Sequence, residues 1–540
     1  MNIPKRKIPE LPNIPKDEVT PLVSELIEIC LQLKEQIRLQ NELIQALRDE
    51  NAQLKGEKPK PKISPSKLEK SPKEKTDDKN KQKEKRPGSA KKSKKRDLHI
   101  HHTISIPPAN IPEGSRFKGY NDYIVQDLLI QPNNVRYRLE CWQSPSGEYL
   151  VGRLPEDTAQ NHFGISLLRF ILYQFYHAHV TQPLILEALH EIGIDISSGQ
   201  VNRIITENKD SFHCEKDKIL TTGLEVSSYV NVDDTGARHA GQNGYCTHIG
   251  NEFFAWFEST DSKSRINFLS LLRGKRTDYI LNPPAFDYMR KQKLPQKVLI
   301  HLEKHLSVTF YDEPGWVSFL SSLNISTSRH IQITTEGALL GSVLEHGINK
   351  DLVIVSDDAG QFNVLLHALC WIHAERAINR LVGFNERQRQ SLADIRHQIW
   401  EFYADLKKFK EKPDSHQKKQ LEKRFDRLFS TPTCFACLDL ALKKIYANKS
   451  ELLLVLKRPD VPLHNNLSEN DIREYVKKRK ISGGTRSLAG RKCRDTFASL
   501  KKTCRKLGIS FWEYLHDRLS GRNEIPLLSD CIRQQVHSFG

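Results

Sequence analysis

The chain has 540 residues and a formal net charge of +17, with 83 Lys/Arg against 66 Asp/Glu. That length allows two to four domains with a substantial core, and the basic balance points to a polyanionic partner, nucleic acid first. No run of about 18 apolar residues occurs, which excludes a helical membrane span. The start, Met1-Asn2-Ile3-Pro4-Lys5, lacks the apolar core of a signal peptide, so a cytoplasmic protein is expected. Its ten cysteines follow no framework and should be reduced thiols. Cys434-x-x-Cys437 is a close pair without a second pair nearby, so zinc is not expected there.

Residues 17–55 read as a coiled-coil dimerisation helix. Leu26, Leu33, Gln40, Leu47 and Leu54 recur every seven residues, with Cys30, Ile37, Ile44 and Asn51 four further on. This is a heptad seam carrying one polar Asn that fixes register, and it predicts a homo-oligomer, a parallel dimer first. Residues 56–98 read as a disordered basic linker of Lys, Pro, Ser and Glu, and +11 of the total charge falls between residues 56 and 96. Such a tract cannot offset ordering entropy by burial, but it can touch phosphates without specificity.

Residues 99–212 read as a small strand region followed by a helix-turn-helix-like DNA-binding region. Tyr123–Val125, Arg136–Trp142 and Glu148–Val151 have strand composition. Helices are expected over Gly164–His179, Gln182–Ile192 and Gln200–Lys209, with Ser197 and Ser198 as caps of the third. That last helix would present Gln200, Asn202, Arg203 and Asn208 to DNA. An ordinary helical hairpin remains the plain alternative.

Two later stretches share one grammar, a β-branched run ending in an Asp pair. They are Tyr229-Val230-Asn231-Val232-Asp233-Asp234 and Leu352-Val353-Ile354-Val355-Ser356-Asp357-Asp358. Such runs read as buried strands that end where active sites gather in α/β sheets. Strands over Val226–Thr235, Tyr245–Gly250 and Glu252–Glu258 form an expected meander, with an Asn-Gly turn signal at Asn243-Gly244. A helix follows at Ser262–Leu272. Residues 276–333 read as an extra insertion with a helical run at Lys297–His305. A helix is expected over Gln361–Arg380, with Cys370 and His373 on one face and packing favoured over ligation. A third acidic stretch, Pro462-Leu463-His464-Asn465-Asn466-Leu467-Ser468-Glu469, leads into a polar helix. Asp357 and Glu469 are 112 positions apart, so a domain lies between them. Charged helices over Glu386–Phe409, Ser415–Phe429 and Cys437–Asn448 make it all-helical. Beyond Glu469 come Arg473, Arg479 and Lys480, placed to hold phosphates. Helices at Asp495–Leu507 and Ser510–Leu519 close the chain as a packed cap.

The flanking residues carry a resemblance. Asp233-Asp234-Thr235-Gly236 with Gly241-Gln242-Asn243-Gly244-Tyr245 resembles the first catalytic block of the insertion-sequence family sixty-six transposases. Ser356-Asp357 with Cys370-Trp371-Ile372-His373-Ala374-Glu375-Arg376 resembles the second, and Pro462–Asn466 with Glu469, Arg473, Arg479-Lys480 and Ser482-Gly483 the third. The resemblance implies an α/β fold: a ribonuclease-H-like catalytic core over 226–380 and 462–520, with an all-helical insertion over 381–461. It also implies a DDE transposase that cuts transposon-end DNA and joins it to target DNA. Catalytic and metal-binding roles fall to Asp233, Asp357 and Glu469, with two Mg²⁺ ions and Mn²⁺ as an acceptable substitute. Asp234 stands where the family has Glu, and Asp358 where it has Gly. Strand alternation sends Asp233 and Asp234 to opposite faces, and the motif match selects Asp233. DNA contacts are assigned to Arg203, Asn465, Asn466, Arg473, Arg479 and Lys480, and Cys370 and His373 form a structural motif. Relatives often carry a zinc unit before the core, but with only Cys141 between residues 98 and 213 none is expected here. Expected partners are DNA, a second copy of the chain and accessory transposition proteins, in a bacterial, nucleoid-associated setting. An inactive DNA-binding regulator, a nuclease without strand transfer and an architectural DNA-binding protein stand as alternatives.

Overall fold

The structure, a computed structural model, describes residues 29, 33, 98–155 and 162–539. The expected coiled coil and basic linker lie outside the described residues, apart from Ile29 and Leu33, which are helical and exposed, and Leu98. The chain divides into two units, 1–129 and 130–540. In the first, residues 98–129 form no strand or helix, and Ile104, Ile106, Phe117, Tyr123 and Leu128 are exposed. Tyr123–Val125, expected as a strand, has no hydrogen-bonded neighbour there and so no ladder to hold it.

The second unit opens with a small hairpin, β1 (Cys141–Gln143) and β2 (Tyr149–Val151), in which Trp142 pairs with Leu150. Only the end of the expected Arg136–Trp142 strand forms, because its partner offers three residues. Three helices then appear where the pattern places them. They are α1 (Ile165–Leu172), which runs into a π-helical turn at Tyr173–His177, α2 (Gln182–Glu191) and α3 (Ser198–Thr206). Ser197 caps α3 by accepting the Gln200 N–H. Helix α4 (Asp210–Val226) leads into the sheet.

Strands β3 (Tyr229–Gly236), β4 (Tyr245–Gly250) and β5 (Ala255–Thr260) form the antiparallel meander, followed by α5 (Arg265–Arg273). The region expected as an insertion holds β6 (Tyr279–Ile280), α6 (Pro283–Lys291), α7 (Gln296–Glu303), β7 (Thr309–Phe310) and α8 (Glu313–Ser322), then the long α9 (Ser328–Glu345). Strand β8 (Val353–Ser356) returns parallel to β3. Here one expectation is corrected. Gln361–Arg380 is not one helix: a 3₁₀ turn (Gly360–Phe362) precedes β9 (Leu366–Leu369), and α10 (Trp371–Asn379) begins only afterwards. Leu366–Leu369 pairs along β8, and so short a stretch, Leu-His-Ala-Leu, fits strand or helix equally until a neighbour decides. The order β5-β4-β3-β8-β9 is a five-stranded mixed sheet, consistent with the expected ribonuclease-H-like core.

The helical domain follows: α11 (Glu386–Glu411), α12 (Ser415–Ser430), α13 (Ala436–Ala447) and the short α14 (Lys449–Leu452). The chain ends with α15 (Asn466–Ser482), α16 (Leu488–Lys506), α17 (Phe511–Ser520) and α18 (Leu528–Phe539). The two faces of the sheet are covered differently. Val230, Val232, Ile249 and Trp256 face an apolar core shared with α4, α5 and α9. Cys246, Ala255 and Phe257 face Ile472 and Tyr475 of α15. Helix α16, expected as part of a cap, lies along the sheet edge. Its Thr503, Ser499 and Asp495 accept the N–H groups of Ala255, Phe257 and Ser259 at 3.2, 2.9 and 2.8 Å. Side chains four residues apart thus satisfy every second donor of the edge strand, which blunts it against pairing with another chain. No helix among the described residues is long and apolar enough to cross a membrane.

Candidate active site

Antiparallel register pairs Asn231 with Gly250, Asp233 with His248 and Thr235 with Cys246. These residues share the face under α15, whereas Asp234 and Thr247 point to the other. Parallel register pairs Asn231 with Val355, so Asp357, two residues past Val355, falls beside Asp233 at the strand ends. Asp234 is occupied elsewhere: Thr247 Oγ1 donates to it at 2.6 Å and Gln361 Nε2 at 3.1 Å. Asp358 is exposed and tied to the helical domain, 2.9 Å from Lys444 Nζ and 3.3 Å from Asn448 Nδ2. The second member of each Asp pair therefore has a structural partner.

Glu469 sits in the first turn of α15. Asn465, just before that helix, is 1% exposed. Its Nδ2 donates to the Val232 carbonyl at 2.8 Å, and its Oδ1 accepts from Asn231 at 2.8 Å. This corrects the DNA-contact assignment for Asn465: the amide is spent on β3, where it docks the start of α15. Asn466, the first residue of α15, is half-buried. Cys370 is the residue before α10 rather than within it, and its Sγ accepts the Asn465 N–H at 3.2 Å. Burial pushes its thiol pKa up, which keeps it protonated. His373 lies on α10 with Nε2 3.5 Å from Glu469, so Cys370 and His373 do different work.

Burial pushes the Asp233 carboxyl up to about 7, with Asp357, Asp234 and Glu469 adding repulsion against one hydrogen bond from the Asp234 N–H. A carboxyl raised in this way by its acidic neighbours marks a site whose stored repulsion a divalent cation relieves. The donor set is all carboxylate oxygen, which suits a hard cation such as Mg²⁺. In the geometry present, Glu469 turns to protein cations instead, with Oε1 3.5 Å from Arg376 and Oε2 3.9 Å from Arg473. Accordingly, no group of three His, Cys, Asp or Glu side chains among the described residues is already closed around a metal position.

Arg473 and Lys480 are exposed on α15. Arg479 is half-buried and donates to the Gly236 carbonyl at the end of β3. The β3–β4 loop is joined to the loop after α15: Ala240 N–H donates to Thr485 O at 2.8 Å, and Thr485 N–H to Arg238 O at 3.0 Å. Gly484 permits this approach, since a Cβ there would come within 2.6 Å of the Arg238 carbonyl. Exposed Arg238 and Arg486 thus flank the strand ends. Arg203 and Asn202 are exposed on α3 and Gln200 is half-buried, whereas Asn208, expected on the same helix, is exposed just beyond its end at Thr206. Sequence reasoning overlooked His248 and Arg238. The register that pairs residue 248 with 233 is set by a turn at Ala240-Gly241 (φ 47 and 81), three residues before the expected Asn243-Gly244 signal, so the sequence carried no clue to His248.

Residues 341–492 match the sequence profile described as Transposase IS66 family. A protein of Sinorhizobium fredii (strain NBRC 101917 / NGR234), Uncharacterized protein y4jO, is 46% identical over 303 residues, which is 56% of this chain and 94% of that protein. The chain belongs to the IS66 transposase family. Membership implies a role in DNA transposition and binding to DNA. The matched stretch holds Asp357, α10 and Glu469, and Asp233 precedes it.

Proposed function

We propose that this family member is an active DDE transposase, cutting transposon-end DNA and transferring the new 3′ end to target DNA. The observation that carries this reading is the convergence of Asp233 and Asp357, at neighbouring strand ends, with Glu469 at the start of α15, close enough that each raises the pKa of Asp233. Asp233, Asp357 and Glu469 would hold two Mg²⁺ ions. When bound, these supply activation of the attacking oxygen and neutralisation of charge at the leaving oxygen. The protein's own groups do the rest. Arg376 and Arg473, which flank Glu469, and Arg238 and Lys480 beyond the strand ends place positive charge where DNA phosphates would lie. No serine or tyrosine nucleophile is required, since water and then the 3′-hydroxyl attack in turn.

The test is cleavage of labelled duplexes bearing candidate element ends by the wild type and Glu469→Gln, with Mg²⁺ and with EDTA. Metal-dependent cleavage lost in the variant, with duplex binding kept, is the expected result. Binding without cleavage by the wild type would overturn the catalytic reading in favour of a DNA-binding regulator. Nicks without strand-transfer products would reduce it to a nuclease.

A further inference from the structure

The residues on both sides of Glu469 reach one buried histidine. His248 on β4 is 0% exposed, as is Ser468, and Asp471 is 6% exposed. His248 Nδ1 lies 2.7 Å from Ser468 Oγ, and Nε2 lies 3.2 Å from Asp471 Oδ2. Burial lowers the imidazole pKa, so the ring is neutral despite its carboxylate partner. Asp471 also meets Lys506 and Lys502 of α16, so it stands as an ionised carboxylate. An ionised carboxylate only accepts, so Nε2–H donates to Asp471, Nδ1 is left as an acceptor, and the Ser468 hydroxyl donates to it. This fixes one tautomer and gives every member of the chain a partner.

A Ser–His–Asp relay also suggests nucleophilic chemistry, but Ser468 is sealed from solvent and substrate. Placement supports another role. His248 stands directly opposite Asp233 in the β3–β4 register, where side chains on one face lie about 5 Å apart. It grips α15 one residue before Glu469 and two after it. Lys506 and Lys502 reinforce the grip from α16, 2.8 and 3.3 Å from Asp471. Asn465 fastens the same turn to β3. A sliding or rotation of α15 that moved Glu469 relative to Asp233 would break buried hydrogen bonds on two strands.

We propose that His248, acting through Ser468 and Asp471, is a positioning residue that sets the placement of Glu469 against Asp233 for cation binding. The inference rests on the carboxylate reading above. Its test uses the full chain and Mn²⁺, followed by loss of the free-ion paramagnetic resonance signal, alongside thermal unfolding. Ser468→Ala removes one buried oxygen, and His248→Leu removes the whole bridge. His248→Gln keeps one donor and one acceptor. Expected is a loss of Mn²⁺ affinity of about tenfold or more in Ser468→Ala and His248→Leu, with partial recovery in His248→Gln, as for groups that orient metal ligands. Raising the metal concentration should restore part of the cleavage rate. Should His248→Leu fail to fold, Ser468→Ala and His248→Gln carry the test. Lowered melting temperatures with wild-type Mn²⁺ affinity in both would overturn the proposal and leave the bridge purely structural. A wild type that binds Mn²⁺ no better than Glu469→Gln would overturn the carboxylate reading itself, and this inference with it.

Discussion

The catalytic core and the helical domain inserted into it are held together by different physics. In the insertion, Trp371 packs against Phe402, Phe425 and Phe429, with Leu406, Leu421, Leu438 and Leu442 around them. Its interior is mostly apolar, and its directional contacts, such as the Trp371 Nε1 bond to the Leu452 carbonyl at 2.9 Å and the Arg396 bond to Glu375 at 2.6 Å, are the minority there. Where α15 and α16 meet the sheet, a small apolar cluster around Phe257 and Tyr475 is joined by buried polar groups, among them Asn231, His248, Asn465, Ser468, Asp495, Ser499 and Thr503, each hydrogen-bonded. Apolar packing tolerates small shifts and still excludes water. A buried hydrogen bond does not, because an unmatched polar group costs about 1–3 kcal/mol. The core therefore uses polar contacts where carboxylates on different elements must meet, and the insertion uses apolar ones where a domain need only stay attached.

The sharpest way to break this comparison is at the two neighbours Asp233 and Asp234. If the face under α15 is the reactive one, Asp233→Asn should lower DNA cleavage on the order of 10³-fold, equivalent to about 4 kcal/mol of barrier. Asp234→Asn should cost far less cleavage and act chiefly on stability, since it alters a hydrogen-bonded group facing Thr247 and Gln361. Single-turnover cleavage with a melting curve for each variant separates the two. A dead Asp234→Asn beside an active Asp233→Asn would move the site to the opposite face.

Trp371 tests the apolar side. It is 2% exposed and joins the second acidic block to the insertion, with its backbone N–H also donating to Leu463 O at 3.0 Å. Trp371→Ala should cost about 3–5 kcal/mol. The loss should fall on the insertion, read as faster proteolysis at the Lys412–Asp414 turn between α11 and α12 while β3–β5 stays protected from hydrogen exchange. Simultaneous loss of protection in both regions would show one cooperative unit rather than two regimes.

The same contrast decides what could be read from the chain alone. The insertion was legible because apolar residues at helical spacing and capping residues announce it. Asn385 and Asp414 accept the Gln388 and Gln417 N–H groups at the starts of α11 and α12. The strand ends were legible because the β-branched stretches Val230-Asn231-Val232 and Val353-Ile354-Val355-Ser356 each run into an Asp pair. The polar interface was not. His248, Ser468, Ser499 and Thr503 look like surface residues in a sequence, and only the docking of helices on the sheet buries them. Asn465 stands out in the sequence for its place shortly before Glu469, but its partner, the Val232 carbonyl, is a backbone group with no sequence signature. Strand β9 was misread for a related reason: its apolar residues are shared by strand and helix, and β8 chooses between them.

Acid should separate the two regimes further. Burial would raise the Glu474 carboxyl, but Lys501 and Lys502 outweigh it and hold the pKa at about 2. Lys502 Nζ lies 2.9 Å from Glu474, and Lys501 pairs with it as well. Because the folded pKa lies below an unfolded value of about 4.3, this contribution is fully present above pH 4.3 and is lost as pH falls toward 2. Its size is about 2–3 kcal/mol. Urea unfolding of the wild type and Glu474→Gln should differ by that amount near pH 6 and converge near pH 2. A pH-independent difference would assign the loss to packing rather than charge.

The smallest effect belongs to the boundary between the regimes. Asp358 follows Asp357 directly and links it to the insertion through Lys444 and Asn448, so a route from the insertion into the site is geometrically available. The pair is solvent-exposed, however, and exposed ion pairs contribute about 0–1 kcal/mol and weaken with salt. Stronger ties join the two parts nearby: Glu451 accepts from Asn363 at 2.8 Å and pairs with His367 at 2.9 Å, and both are less exposed than Lys444. Asp358→Asn should therefore shift stability by less than about 1 kcal/mol and leave the metal dependence of cleavage unchanged, whereas Glu451→Gln should have the larger effect on stability. If Asp358→Asn instead changed the metal requirement more than Glu451→Gln, the exposed contact would govern Asp357, and the insertion would take part in building the site rather than only being held beside it.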